Sequence, residues 1–148
     1  MTYPYQMTKG LPFFVYGTLR PGQGLSHAWI GDAIGEHDGA ATVAGFALWA
    51  FPGSFPYAIP TGDPSDVAVG AIIRPVPGRY SDVLARLDRI EGYPSHYDRV
   101  EVTASTPDGP VQAWIYSPGD STRSGLVRIP DGDWVAWDGG RRLRAVRS

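Results

Sequence analysis

The chain contains no cysteine. That one absence removes disulfides, a thiolate nucleophile, iron–sulfur ligation and every cysteine-based zinc site together. A dominant charge is missing as well: 13 basic residues stand against 15 acidic ones, giving a formal net charge of −2 and a pI near 5.8. Nucleic-acid binders carry a basic stripe to meet phosphate, and none occurs here. The one basic cluster, Arg141, Arg142, Arg144 and Arg147, reads as a solvated tail. Long apolar runs are absent too. The longest, Phe46 to Phe51, falls far short of the roughly 20 residues that span a bilayer. Met1 to Gly10 shows neither the apolar region nor the cleavage signal of a secretory leader. A cytoplasmic location is expected, with no nucleic-acid and no membrane partner.

Motifs for metals and cofactors are equally scarce. His27, His37 and His96 match no local ligand spacing, and there is no HExxH. Gly22-Gln23-Gly24 lacks the third glycine of a dinucleotide fingerprint, Gly119-Asp120-Ser121-Thr122 lacks the lysine of a P-loop, and Ser54 is not in a GxSxG elbow. Each reads as a turn. Neither a metal nor a cofactor is expected.

What is present points to one folded domain. Hydrophobic residues make up 43% against 19% charged, a balance that fills a core, and 148 residues suit a single unit over 1–148 with its core at about 12–137. Glycine (19) and proline (14) are plentiful and spread along the chain, the mark of short strands joined by tight turns. Phe13 to Tyr16 reads as a strand buried on both faces. Leu19 to Gly39 has little period, with a short helical turn at Ser26 to Ile30. Strands are expected at Thr42 to Ala50, Tyr57 to Ile59 and Val67 to Ile73. One clear helix runs from about Asp82 to Glu91, capped by Ser81 and stopped by Gly92 and Pro94. Arg99 to Ser105 and Val111 to Ser117 form a hairpin around Pro107-Asp108-Gly109-Pro110. The tail with Trp134 and Trp137 adds a strand or packs across the body. The fold class is α+β: a mixed, mostly antiparallel, barrel-like sheet with one main helix and short helical turns.

Two features carry chemistry. On the helix wheel Val83, Leu84, Leu87 and Ile90 define the inward stripe, with Arg86 and Arg89 opposite. Glu91 lies four residues after Leu87 and falls on the apolar face. A carboxylate held there tends to a raised pKa, which suits a proton shuttle near neutral pH. A last-turn residue also swings to solvent when the helix frays, and the wheel does not choose between the two. The second feature is the strand that breaks at Tyr16-Gly17-Thr18-Leu19, followed by Arg20-Pro21-Gly22. Successive backbone N–H groups at such a break can hold a carboxylate or a developing oxyanion.

Taken together, Phe14-Val15-Tyr16-Gly17-Thr18-Leu19-Arg20-Pro21-Gly22 and Leu87-Asp88-Arg89-Ile90-Glu91-Gly92-Tyr93-Pro94, with Tyr97-Asp98-Arg99, resemble the two signatures of the γ-glutamylcyclotransferase-like family, in its AIG2-like or γ-glutamylamine branch. Ala113 to Tyr116 and Ile129 to Trp134 are similar to further pieces of that pattern, so the resemblance runs over about 12–137 in order. It implies Glu91 as the catalytic general base and acid, and Tyr16, Gly17, Thr18 and Leu19 as the loop holding the γ-glutamyl group. Tyr97 and Tyr116 are similar to pocket-lining tyrosines. It also implies a cofactor-independent enzyme that forms 5-oxoproline from a small γ-glutamyl substrate, as a monomer or weak homodimer. Asp88 either orients the site or fixes the helix, and Arg99 is expected to pair with a carboxylate. Two other functions fit the same residues: a binding protein for a small γ-glutamyl or carboxylated ligand that catalyses nothing, and a γ-glutamyl amide hydrolase using water.

Overall fold

A computed structural model describes residues 10–17, 34–50, 56–91, 98–118 and 126–137, with the backbone alone at 34–39, 90 and 91. The chain order is β1 (Phe13–Val15), β2 (Ile34–Ala44), β3 (Phe46–Ala50), β4 (Pro56–Pro60), β5 (Val67–Pro75), α1 (Tyr80–Glu91), β6 (Asp98–Thr106), β7 (Gly109–Ser117) and β8 (Val127–Arg128). Five strands close a barrel in the order β1-β5-β2-β6-β7, and β4-β3-β8 form a separate three-stranded sheet. All pairings are antiparallel except β1 with β7. The α+β, barrel-like architecture is the one the sequence predicts.

Strand β1 shows why both its faces are apolar. Side chains alternate across a strand, so Phe14 and Tyr16 enter the barrel interior with Val43, Leu48, Ile72, Ile115 and Trp134. Phe13 and Val15 face outward into a second cluster with Ala71, Ile73, Val83, Leu87, Trp114 and Tyr116. Helix α1 lies over that outer face, and its Val83 and Leu87 are wholly buried. Three layers therefore meet at one short strand: interior, barrel wall and helix.

The expected single strand over 42–50 is two strands. Gly45, with φ at +87°, turns the chain out of the barrel and into the three-stranded sheet. Its N–H donates to the Asp66 carbonyl at 2.7 Å, and its carbonyl accepts from the Thr61 N–H at 2.8 Å. Strand β2 also starts at Ile34, inside the stretch that shows little period. Helix α1 starts at Tyr80, ahead of the expected Asp82, with Ser81 exposed inside it. The Arg79 carbonyl accepts the first helical bond from Val83 N–H at 3.0 Å, and the Arg79 side chain donates to Asp82. The first turn is thus supported by Arg79 and an acidic side chain near the helix N-terminus, and no Ser81 cap is needed.

The hairpin closes more tightly than its four-residue turn cluster suggests. Thr106 pairs with Gly109, leaving Pro107-Asp108 as the turn. Thr106 Oγ1 donates to the Gly109 carbonyl at 2.7 Å and accepts from Asp108 N–H at 3.2 Å. In the tail, 134–137 form a helical turn that drops Trp134 into the barrel interior, with Trp137 packed beside it. Packing across the body is the outcome there, with the added two-residue strand β8 on the edge of β3. Among the described residues no helix is long and apolar enough to cross a membrane.

Candidate active site

Strands β1 and β7 run parallel, with Phe13 opposite Trp114. Tyr16–Gly17, just past β1, and Tyr116–Ser117, the end of β7, therefore reach the same rim of the barrel. There the Tyr16 hydroxyl donates to the Tyr116 carbonyl at 2.6 Å and accepts from the Ala58 N–H at 3.4 Å. Ser117, buried although polar, donates its hydroxyl to the Ala58 carbonyl at 2.8 Å. Strand β4 is thereby held against the end of β1. Gly17 feels that closeness: a β-carbon there would sit 2.9 Å from Pro56 Cγ and 3.0 Å from Cδ. Only glycine lets the backbone bend pass the proline ring without displacement.

The last turn of α1 arrives at the same place. Asp88 Oδ1 accepts from the Tyr116 hydroxyl at 2.5 Å and from Arg99 Nη1 at 2.5 Å. Arg99 and Tyr116 stand directly opposite each other on β6 and β7, so they share a face. The Arg99 guanidinium lies over the Trp114 ring, 5.5 Å from its centroid. Trp114 Nε1–H in turn donates to the Tyr80 hydroxyl at 3.1 Å, and Tyr80 donates to the Leu11 carbonyl at 2.7 Å. Arg99 thus pairs with a carboxylate as expected, and Asp88 fixes the helix to the hairpin.

Burial, followed by the hydrogen bond to the Asp88 carboxylate, pushes the Tyr116 phenol far above its ordinary range. Burial alone among the leading influences raises Tyr80. For Arg99, burial works against the charge, but the Asp88 hydrogen bond and charge more than offset it, and its pKa ends raised. Both shifts favour the donating forms, and the Tyr116 hydroxyl and the Arg99 guanidinium converge on one Asp88 oxygen.

Of the expected inward stripe of α1, Val83 and Leu87 are buried and Leu84 half-buried, while the Ile90 side chain lies outside the described residues. On the opposite side Arg89 is exposed and Arg86 half-buried, and Asp88 is half-buried. Glu91 is the last residue of the helix, one turn beyond Leu87 and Asp88. Tyr16 and Gly17 flank Tyr116 at the rim. Tyr116 itself is buried beneath α1, with its hydroxyl engaged by Asp88. Thr18, Leu19 and Tyr97 lie outside the described residues, as do Ser26 to Ile30, His27, His96, Gly22 to Gly24, Ser54 and Gly119 to Thr122. Tyr80, Trp114 and Ser117 join the cluster although the sequence gives none of them a site role. The available signal was alternation along β7, which places Trp114 on the face of Tyr116.

Among the described residues no group of three or more His, Asp or Glu side chains is arranged to hold a metal. A cleft of about 230 Å³ lies elsewhere, lined by Ser65, Asp66, Val67, Arg128, Asp131 and Gly132 among others. Its Asp66 and Arg128 pair with each other, and it shares no residue with the rim at Tyr16 and Tyr116.

The family model described as gamma-glutamyl cyclotransferase, AIG2-like matches residues 13–136, from β1 to the helical turn that carries Trp134. The chain belongs to the AIG2-like γ-glutamyl cyclotransferase family. Solved structures agree on the fold. An uncharacterized protein from Pyrococcus horikoshii, PH0828, is 27% identical over 93% of this chain and 97% of its own, with a TM-score of 0.60. An AIG2-like protein from Mus musculus is 24% identical over 72% of this chain and 76% of its own, with a TM-score of 0.57. The allophanate hydrolase of Kluyveromyces lactis, 17% identical, carries the fold in 21% of its length and covers 86% of this chain, with a TM-score of 0.61. No curated protein matches significantly. Membership in the AIG2-like family makes this chain a cyclotransferase-like enzyme in broad class.

Proposed function

We propose that the protein releases 5-oxoproline and a free amine or amino acid from a γ-glutamyl amide, with Glu91 as general base and then general acid. The substrate's α-ammonium gives a proton to the Glu91 carboxylate, and the freed amine attacks the substrate's own γ-carbonyl carbon. A C–N bond forms and the carbonyl electron pair moves to oxygen. The oxyanion then collapses, the bond to the leaving nitrogen breaks, and Glu91 returns its proton to that nitrogen. The freed carboxylate takes the second proton from the cationic ring nitrogen and passes it to the departing amine, which leaves as an ammonium. Atoms and charge balance with no further reagent, because nucleophile and electrophile belong to one molecule. Good alignment of such an intramolecular pair is worth roughly 7–11 kcal/mol of barrier.

The backbone N–H groups of Gly17, Thr18 and Leu19 hold either the substrate's α-carboxylate or the oxyanion. Tyr16 anchors that loop and Tyr97 is the substrate-side tyrosine in this reading, whereas Tyr116, also expected to line the pocket, is buried with its hydroxyl given to Asp88 and acts as an anchor. One observation supports it above the others. Tyr116 links two elements: its carbonyl accepts from the Tyr16 hydroxyl at 2.6 Å, and its hydroxyl donates to Asp88, one turn before Glu91, at 2.5 Å. Tyr16 and Asp88, which belong to two distant signatures, share that anchor, and this supports the reading.

The test is product analysis. The protein is mixed with γ-glutamyl-alanine, γ-glutamyl-ε-lysine and glutathione, and 5-oxoproline is expected from at least one. Glu91→Gln should lower kcat by about 10²–10⁴-fold while the protein stays folded. Free glutamate in place of 5-oxoproline would mean hydrolysis, and saturable binding without turnover would mean a binding protein. Either result overturns the proposal.

A further inference from the structure

We propose that Asp88 is the positioning residue for Glu91, and that its double hydrogen bond to Arg99 and Tyr116 sets the rotation of the last turn of α1. The inference rests on the reading of Glu91 as the proton carrier. Helix α1 is held to the barrel by Val83 and Leu87, both fully buried. Apolar contact of that kind is non-directional: it keeps a helix on a surface without fixing its roll about its own axis. Directed hydrogen bonds do fix it, and α1 has one set near each end. Tyr80 in the first turn is tied to the Leu11 carbonyl and to Trp114, and its ring stacks on Phe13 at 5.7 Å between centroids. Asp88 in the last turn is tied to Arg99 and Tyr116. These two pins lie about 12 Å apart along the axis, and a slide or roll breaks one or the other.

The chemistry of the second pin argues for placement over stability. The Arg99 side chain is 9% exposed and that of Asp88 is 24%. A largely buried ion pair recovers little net stability, because desolvation offsets the attraction. What it supplies is geometry, since both donors must converge on one oxygen. Glu91 follows Asp88 by three residues, so the two Cβ atoms are neighbours on the helix, about 5–6 Å apart. It also stands at the helix end, where the backbone has run out of intrahelical partners and frays most readily. A general base there needs its last turn held, because a misplacement of about 1 Å can cost roughly 100-fold in rate.

Two variants test this without emptying the core. Asp88→Asn keeps shape and an acceptor oxygen but loses the charge that gathers both donors. Tyr116→Phe removes only the hydroxyl. Each should lower kcat with γ-glutamyl substrate by about 10–100-fold, the range that a displacement of this size implies, with KM within about threefold. The double variant should be no worse than the poorer single one, because both break one unit. Wild-type kcat in folded Asp88→Asn and Tyr116→Phe overturns the proposal. So does a raised KM at unchanged kcat in Tyr116→Phe, which would put its hydroxyl on the substrate. If Asp88→Asn does not fold, Tyr116→Phe decides alone. Glu91→Gln, run in parallel, separates the two readings. Turnover by Glu91→Gln removes the proton carrier itself. An inactive Glu91→Gln beside fully active Asp88 and Tyr116 variants removes only the positioning role.

Discussion

Gly17 stands where a β-carbon would press on Pro56 at 2.9 Å, and a proline ring has few ways to yield. A larger side chain therefore has to move either β4 or the bend after β1, to which the proposed function gives substrate binding. Overpacking of this kind typically costs 1–3 kcal/mol, and 1.4 kcal/mol is already a factor of ten in an equilibrium constant. Gly17→Val should raise KM for the γ-glutamyl substrate by about tenfold or more. An unchanged KM in steady-state kinetics would detach the bend from substrate binding. At the same scale, Tyr16 and Tyr116 show how one type of side chain serves different ends. The Tyr16 ring fills the barrel interior and its hydroxyl ties three strands together, whereas Tyr116 lies outside the wall and ties the wall to the helix. Both are expected site residues, Tyr16 through the signature it belongs to and Tyr116 through its likeness to pocket-lining tyrosines. Neither position, inside or outside the barrel, was visible from residue type.

Among the elements, the break at Gly45 is the most instructive. A glycine inside an alternating run signals a bulge, a close approach or a change of sheet, and local sequence does not choose among them. The partners choose. Asp66 and Thr61 bond the Gly45 backbone, so that β2 stays in the barrel and β3 departs to pair with β4 and β8. No atom crowds a β-carbon at this position, but φ is +87°, a region that costs an L-residue about 1–2 kcal/mol. Gly45→Ala should lower stability by about that amount in urea denaturation, with m unchanged. A loss below about 0.3 kcal/mol would mean the chain crosses between sheets in some other conformation. Helix α1 was legible almost to its ends, since its inward stripe is a local period. Its start was misplaced because Ser81 looks like a cap, while the Val76–Arg79 turn, closed by Arg79 N–H on the Val76 carbonyl at 2.8 Å, delivers the chain into the helix earlier.

For the whole molecule, the two raised phenols predict a response to alkali. Tyr116 and Tyr80 both ionise at higher pH in the folded protein than in the unfolded chain, chiefly because burial disfavours the phenolate. The unfolded chain therefore loses these protons first, as pH passes about 10. Above that point it binds fewer protons than the folded state, so stability falls with rising pH. The contribution is complete below about pH 10 and is lost as pH climbs towards the folded values. Urea midpoints measured from about pH 8 to about pH 11 should stay level and then fall. Tyr116→Phe should flatten the fall, and an equal slope in that variant would assign the alkaline loss to other groups.

By itself the sequence determined the local facts: a strand apolar on both faces, the inward stripe of α1, a hairpin around Pro107-Asp108-Gly109-Pro110, and two signatures far apart in the chain. These follow from period and turn chemistry, which act over a few residues. Tertiary structure alone decided that the signatures meet. Tyr16 reaches Tyr116 across 100 residues and Tyr116 reaches Asp88 across 28; the first contact depends on β1 and β7 lying side by side when the barrel closes, the second on α1 packing over that wall. Closure is a property of five strands at once, so no stretch of the chain carries it alone.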